Sequence, residues 1–269
     1  VFIFVWALIV AYVIGSDLKP ELSRLALLAF SGYLLSFGVY VLNSLSDLKE
    51  DRINAPNRPL PAGKVTVTEA KIIIISTILG SLLLSAFISV PTVALYSVCL
   101  FLGLAYSIPR IRAKRFFQFK IIIPVSGAAV FSLAGGSAAQ IENPAIFYAA
   151  ITFALFAMVT LLLGDIADVR GDFIAGIISL PMVIGEKKSV YIITLIPLVL
   201  CGMGAILFVF GIMNFLFPLA ILGISIYTIL NLRKLLDNHD NKIIPLVKSR
   251  MRYVHLILQV SFILGLLVL

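Results

Sequence analysis

Residues 67–90 read Val-Thr-Glu-Ala-Lys-Ile-Ile-Ile-Ile-Ser-Thr-Ile-Leu-Gly-Ser-Leu-Leu-Leu-Ser-Ala-Phe-Ile-Ser-Val, and nothing from Ile72 to Val90 is charged. Crossing the hydrocarbon core of a bilayer takes about 20 apolar residues of helix, and this stretch supplies them. A membrane β-barrel strand would instead be short and alternate apolar with polar residues, which the unbroken Ile72–Ile75 and Leu195–Leu200 runs do not do. The reading extends to the whole chain. Of 269 residues, 61% are hydrophobic and 13% charged, with a mean hydropathy of +1.11. A water-soluble domain keeps about a quarter of its residues charged, so most of this surface is expected to face lipid.

Nine spans are expected, at residues 1–15, 23–46, 67–90, 92–108, 119–138, 144–164, 189–210, 213–232 and 250–269, in one all-α transmembrane domain, residues 1–269, around a central cavity. The chain opens on Val1, so a preceding stretch is expected to be missing, and residues 1–15 are not read as a signal peptide. Lys and Arg fall in the successive connections as 2, 5, 0, 5, 0, 3, 0 and 6. Positive short loops stay in the cytoplasm, which predicts that the connections after spans 2, 4, 6 and 8 are cytoplasmic. Cys99 and Cys201 lie inside apolar spans and the chain has two histidines, which excludes a zinc site of ordinary Cys/His spacing. The net charge of +8 belongs to the cytoplasmic face, where anionic lipid accounts for it without nucleic acid.

Acidic residues gather at two places. Span 2 runs into Asn43-Ser44-Leu45-Ser46-Asp47-Leu48-Lys49-Glu50-Asp51, and span 6 into Asp165-Ile166-Ala167-Asp168-Val169-Arg170-Gly171-Asp172. At about 100° per residue of continuous helix, Asn43, Asp47 and Asp51 make one oxygen-bearing stripe and Asp165, Asp168 and Asp172 another. Glu50 is expected on the other side of its helix. Both clusters sit at helix C-termini, where the dipole already places negative charge, a poor position for anions unless a cation arrives. Mg²⁺ suits oxygen ligands shared with phosphates. The following loops also correspond: Arg58-Pro59-Leu60-Pro61-Ala62-Gly63-Lys64-Val65-Thr66 after the first cluster, Leu180-Pro181-Met182-Val183-Ile184-Gly185-Glu186-Lys187-Lys188-Ser189 after the second. They suggest a duplicated unit, with Thr66 and Ser189 as N-caps.

The segment Asn43-x-x-x-Asp47-x-x-x-Asp51 with Asn57–Gly63 resembles the first signature of UbiA-type intramembrane prenyltransferases. Asp165-x-x-Asp168-x-x-x-Asp172, with Gly176 and Ser179-Leu180-Pro181, resembles the second. One departure is Ser44, where the family usually has Asp. The resemblance implies that Asn43, Asp47 and Asp51 hold one Mg²⁺ and that Asp165, Asp168 and Asp172 hold another. It also implies that both ions bind a prenyl diphosphate, geranyl to geranylgeranyl or longer. Arg58, Lys64, Arg110 and Arg112 are the candidate diphosphate ligands. Tyr106 matches a family tyrosine whose ring would face the allylic cation. The acceptor implied is lipophilic, with a quinone-type aromatic ring placed slightly ahead of an archaeal glycerol ether lipid. Two other readings stay open: a secondary transporter, whose site would lie near mid-membrane, and an isoprenoid-binding relative that has lost catalysis.

Overall fold

The computed structural model describes residues 1–139, 143–237 and 243–267, and among these there is helix and no strand. In chain order the helices are α1 (Phe2–Gly15), α2 (Leu22–Ser46), α3 (Leu48–Asn54), α4 (Val67–Ala86), α5 (Val90–Ser107), α6 (Phe117–Ser137), α7 (Ala145–Ala167), α8 (Val169–Ile174), α9 (Leu180–Ile184), α10 (Glu186–Val209), α11 (Leu216–Asp237) and α12 (Ile243–Leu266). A single 3₁₀ turn, Ala113–Arg115, interrupts the α5–α6 connection.

A helix lies at each expected span. Seven of them (α2, α4, α5, α6, α7, α10 and α11) are long and apolar enough to cross a membrane. The other two differ. α1 has 14 residues, about 21 Å of helix against a core of about 30 Å. α12 has 24 residues but carries Lys248, Arg250 and Arg252 in its first half. Large apolar side chains face outward along the bundle, Phe87 and Val90 among them, as lipid contact requires.

Packing divides the helices into two groups. α2 lies against α4 and α5, and α5 against α6; α7 lies against α10 and α12, with α11 between those two. α1 is wedged between the groups and touches α2, α6, α7 and α12. Its Leu8 and Tyr12 join one apolar core with Leu28, Leu35, Tyr96 and Phe131, while its Ala7, Val10 and Ile14 join the other with Phe153, Phe156 and Phe262. The α1–α6 approach is close because α6 has Gly135 there: a Cβ on it would come within 2.0 Å of the Leu8 carbonyl oxygen. α7 is the central helix, with 61% of its apolar window inside the bundle against 17% for α4 and for α5.

The two acidic segments fold alike at their middle aspartates. α2 ends on Asp47 (φ −98°, ψ 14°) and α7 ends on Asp168 (φ −100°, ψ 5°), and each leads directly into a short helix, α3 or α8. The stripes therefore do not run on one continuous helix, because each turns at its middle aspartate. The loops after them match less closely. Thr66 caps α4 in a reciprocal box with Glu69. Ser189 is inside α10, which starts at Glu186, and its hydroxyl donates to the Gly185 carbonyl. Pro181 stands in the first turn of α9, a short helix the sequence reading did not anticipate.

Candidate active site

The short helices α3 and α8 pack on each other, which brings the two acidic segments together. Asn54, the last residue of α3, donates from Nδ2 to the Asp168 carbonyl at 3.3 Å. Gly171 makes room for it, since a Cβ there would lie 2.2 Å from the Asn54 amide nitrogen.

Carboxylates at helix C-termini need compensation, and the chain supplies it from three places. Arg58, in the loop after α3, donates from Nη1 to both oxygens of Asp51, at 2.7 and 2.8 Å. Burial pushes Asp51 above the usual carboxylate range, and the Arg58 guanidinium opposes that. The α5–α6 connection serves both segments. Arg112 pairs with Glu50 and lies 3.8 Å from Asp47, and Lys114 pairs with Asp47. On the other side, Lys120 in the first turn of α6 lies 2.9 Å from Asp165 Oδ1 and pairs with Asp172. The amide of Ile178, beyond α8, donates to the Arg115 carbonyl at 2.9 Å, which fastens this connection over the second segment. Reaching both sides costs backbone strain: Arg112 is left-handed, at φ 40°. The Lys114 ammonium is buried, and burial pushes its pKa down to about 7.

Tyr106 ends α5 beneath this connection, with the Lys114 Nζ 5.7 Å from its ring centroid. A positive charge thus already faces that ring. Asn43 accepts a hydrogen bond from Ser107 at 3.3 Å through Oδ1. The carboxylate of Asp168 makes no ion pair among the described residues.

Of the residues singled out in the sequence, Asp47, Asp51, Arg58, Arg112, Asp165, Asp168 and Asp172 come together, with Asn43 and Tyr106 beside them. Lys64 and Arg110 do not join them: both are exposed and make no ion pair among the described residues. Glu50 contradicts its expected position: it is buried against Arg112 on the same side as Asp47, from which it lies only about 60° around a helix. Lys114, Lys120 and Asn54 were missed, as was Lys248 of α12, whose Nζ would lie 2.7 Å from a Cβ on Gly164. Lys120 had a signal, as a lone cation one residue inside the fifth expected span, where an ionisable group points to function.

Mg²⁺ fits the donor chemistry. The candidate ligands are oxygens only, and Asp165 Oδ2 is buried with no hydrogen-bond donor. No three acidic, His or Cys side chains converge on one point among the described residues.

The sequence pattern of the UbiA prenyltransferase family matches residues 4–254. The chain belongs to that family and is a multi-pass membrane prenyltransferase. Among its relatives is the digeranylgeranylglyceryl phosphate synthase of Methanococcus aeolicus, 27% identical over 83% of this chain and 78% of that one. Two solved structures share the fold. A structure of a digeranylgeranylglyceryl phosphate synthase in membranes has a TM-score of 0.74 at 24% identity, covering 99% of this chain and 94% of that one. A UbiA homologue from Archaeoglobus fulgidus, bound to DMAPP and Mg²⁺, has a TM-score of 0.72 at 19% identity, covering 99% and 97%.

Proposed function

We propose that this prenyltransferase moves an isoprenyl group, in a Mg²⁺-dependent reaction, from a prenyl diphosphate to the hydroxyl of a glycerol ether lipid bearing a phosphate. The observation that carries the reading is the meeting of two acidic segments, through α3 and α8, beneath a basic α5–α6 connection. Asp47 and Asp51 with Asn43, and Asp165 and Asp172 with Asp168, would hold the ions. When bound, Mg²⁺ neutralises the diphosphate as it leaves.

The chain's own cations do the rest of the electrostatic work. Lys114, Lys120, Arg58 and Arg112 stand around the carboxylates and would donate to phosphate oxygens through charge-assisted bonds. The Tyr106 ring, which already faces an ammonium, would face the allylic cation as the C–O bond to diphosphate breaks. The acceptor oxygen then forms the new C–O bond and gives up its proton to the diphosphate that has left. Burial of the site withholds water, which would otherwise capture the cation. The charge pattern of the connections supports a cytoplasmic position for the site, and one transmembrane domain, residues 1–269, would contain it.

For the acceptor, the curated relatives favour an ether lipid over the quinone-type ring that the sequence reading placed slightly ahead. The test is purified protein with geranylgeranyl diphosphate and Mg²⁺, offered either a geranylgeranylglyceryl phosphate or a hydroxybenzoate. Product from the first alone is expected. Product from the second alone would overturn the acceptor assignment, and product from neither would count against the transfer itself.

A further inference from the structure

Five of the six acidic side chains at the site are held by a cation of the same chain, and three of them are held in a familiar way. Asp51 has Arg58, which is half-exposed; Glu50 has Arg112; Asp47 has Lys114 with Arg112 nearby. The second segment is arranged differently. A single buried ammonium, Lys120, spans two carboxylates that lie on either side of the turn at Asp168: Asp165 Oδ1 at 2.9 Å on α7, and Asp172 Oδ2 on α8. Lys120 belongs to the first turn of α6, so its backbone is fixed by a helix packed on α1, α5 and α7.

An ammonium bridging two carboxylates stands where a divalent ion bridging them would stand. The two cannot share those oxygens without like charges meeting at contact distance. We propose that Lys120 is a resident counter-ion of the second segment, which holds Asp165 and Asp172 together and keeps a divalent ion out until a diphosphate arrives with it. Phosphate oxygens then give Lys120 a replacement partner, and the carboxylates are released to the metal. Among the described residues Asp168 makes no ion pair and Asp165 Oδ2 has no hydrogen-bond partner, which leaves these atoms open for the ion to approach. The consequence is ordered loading: the metal binds weakly alone and tightly with diphosphate, and by linkage each raises the affinity of the other.

This inference rests on the diphosphate reading of the site, and one experiment separates the two. Mn²⁺ binding is followed by electron paramagnetic resonance on purified wild type, Lys120→Met and Lys120→Gln, with and without inorganic pyrophosphate. Without pyrophosphate, both variants should bind Mn²⁺ about tenfold tighter than wild type, the scale expected when a neighbour of a metal ligand is changed. Pyrophosphate should tighten Mn²⁺ binding in wild type by more than in either variant. The Gln variant, whose amide still donates a hydrogen bond, serves if the Met variant does not purify folded. Variants that bind Mn²⁺ no more tightly than wild type in the absence of pyrophosphate would overturn the counter-ion role while leaving the diphosphate site standing. A wild type that takes up no Mn²⁺ even with pyrophosphate would overturn both.

Discussion

Asn54 of α3 donates to the backbone carbonyl of Asp168, at the turn between α7 and α8, and so one acidic segment is hydrogen-bonded directly to the break in the other. The contact joins residues 114 positions apart and needs Gly171 to remain a glycine. Gly171→Ala should lower kcat by about 10²-fold, the scale of a displacement of about 1 Å in a reacting constellation. Asn54→Ala should do less, because it removes the bond without adding bulk. Steady-state kinetics on both variants checks this, and wild-type kcat in Gly171→Ala would show that the spacing of the segments is unimportant.

Asp47 and Asp168 occupy equivalent turns, at φ near −100° in each. Replacing either with Ala should reduce turnover by at least about 100-fold, as for loss of one preorganised electrostatic contact, while membrane insertion and yield stay as in wild type. Retained activity in either variant would remove that residue from the metal assignment.

Glu50 sits on the Asp47 side, as a helical offset of about 60° dictates, and not on the far side expected for it. Nothing between Asn43 and Asp51 is a helix breaker, neither Pro nor Gly, so the turn at Asp47 has no local signature. It follows from tertiary contact, as α3 redirects to pack on α8. Glu50 is buried against Arg112, and Glu50→Gln leaves that guanidinium with only the more distant Asp47, at 3.8 Å. A loss of about 3 kcal/mol in stability is expected, as when one member of a buried pair is removed, and thermal unfolding in detergent would register it.

Chelation offers a test without mutation. EDTA should abolish product formation and added Mg²⁺ restore it, assayed with a radiolabelled prenyl diphosphate. Turnover indifferent to divalent ions would contradict the role given to both acidic segments.

Much of the architecture was legible because it depends on periodicity and composition. A run such as Ile72–Val90 has few alternatives to a membrane helix, and two Asp-x-x-x-Asp segments at matching places are hard to produce by chance. The carboxylates of the two segments were therefore singled out in the sequence, apart from Glu50, and so were Arg58 and Arg112. The lysines were not, because a lysine near a span end is first of all a topology signal. Lys114 and Lys120 sit among five Lys and Arg in one connection, and only the fold separates those that turn inward from Arg110, which turns out. Lys248 lies more than 70 residues from either segment and is brought near only by the packing of α12 on α7.

Gly135 tests the contact between α1 and α6. Gly135→Val would press a branched side chain into the Leu8 carbonyl, and overpacking of this kind costs about 3 kcal/mol. A lowered melting temperature in detergent is expected, and an unchanged one would mean that α1 can back away at no cost.

Because α1 lends apolar residues to both cores, a helix made before α2 to α12 completes the packing of helices made much later. A chain cut between α6 and α7 would leave the second fragment with an apolar slot shaped for Ala7, Val10 and Ile14, and the first fragment carrying the peg. Co-expressed fragments should find each other through that peg and through the α6–α7 face, and a first fragment lacking α1 should associate more weakly.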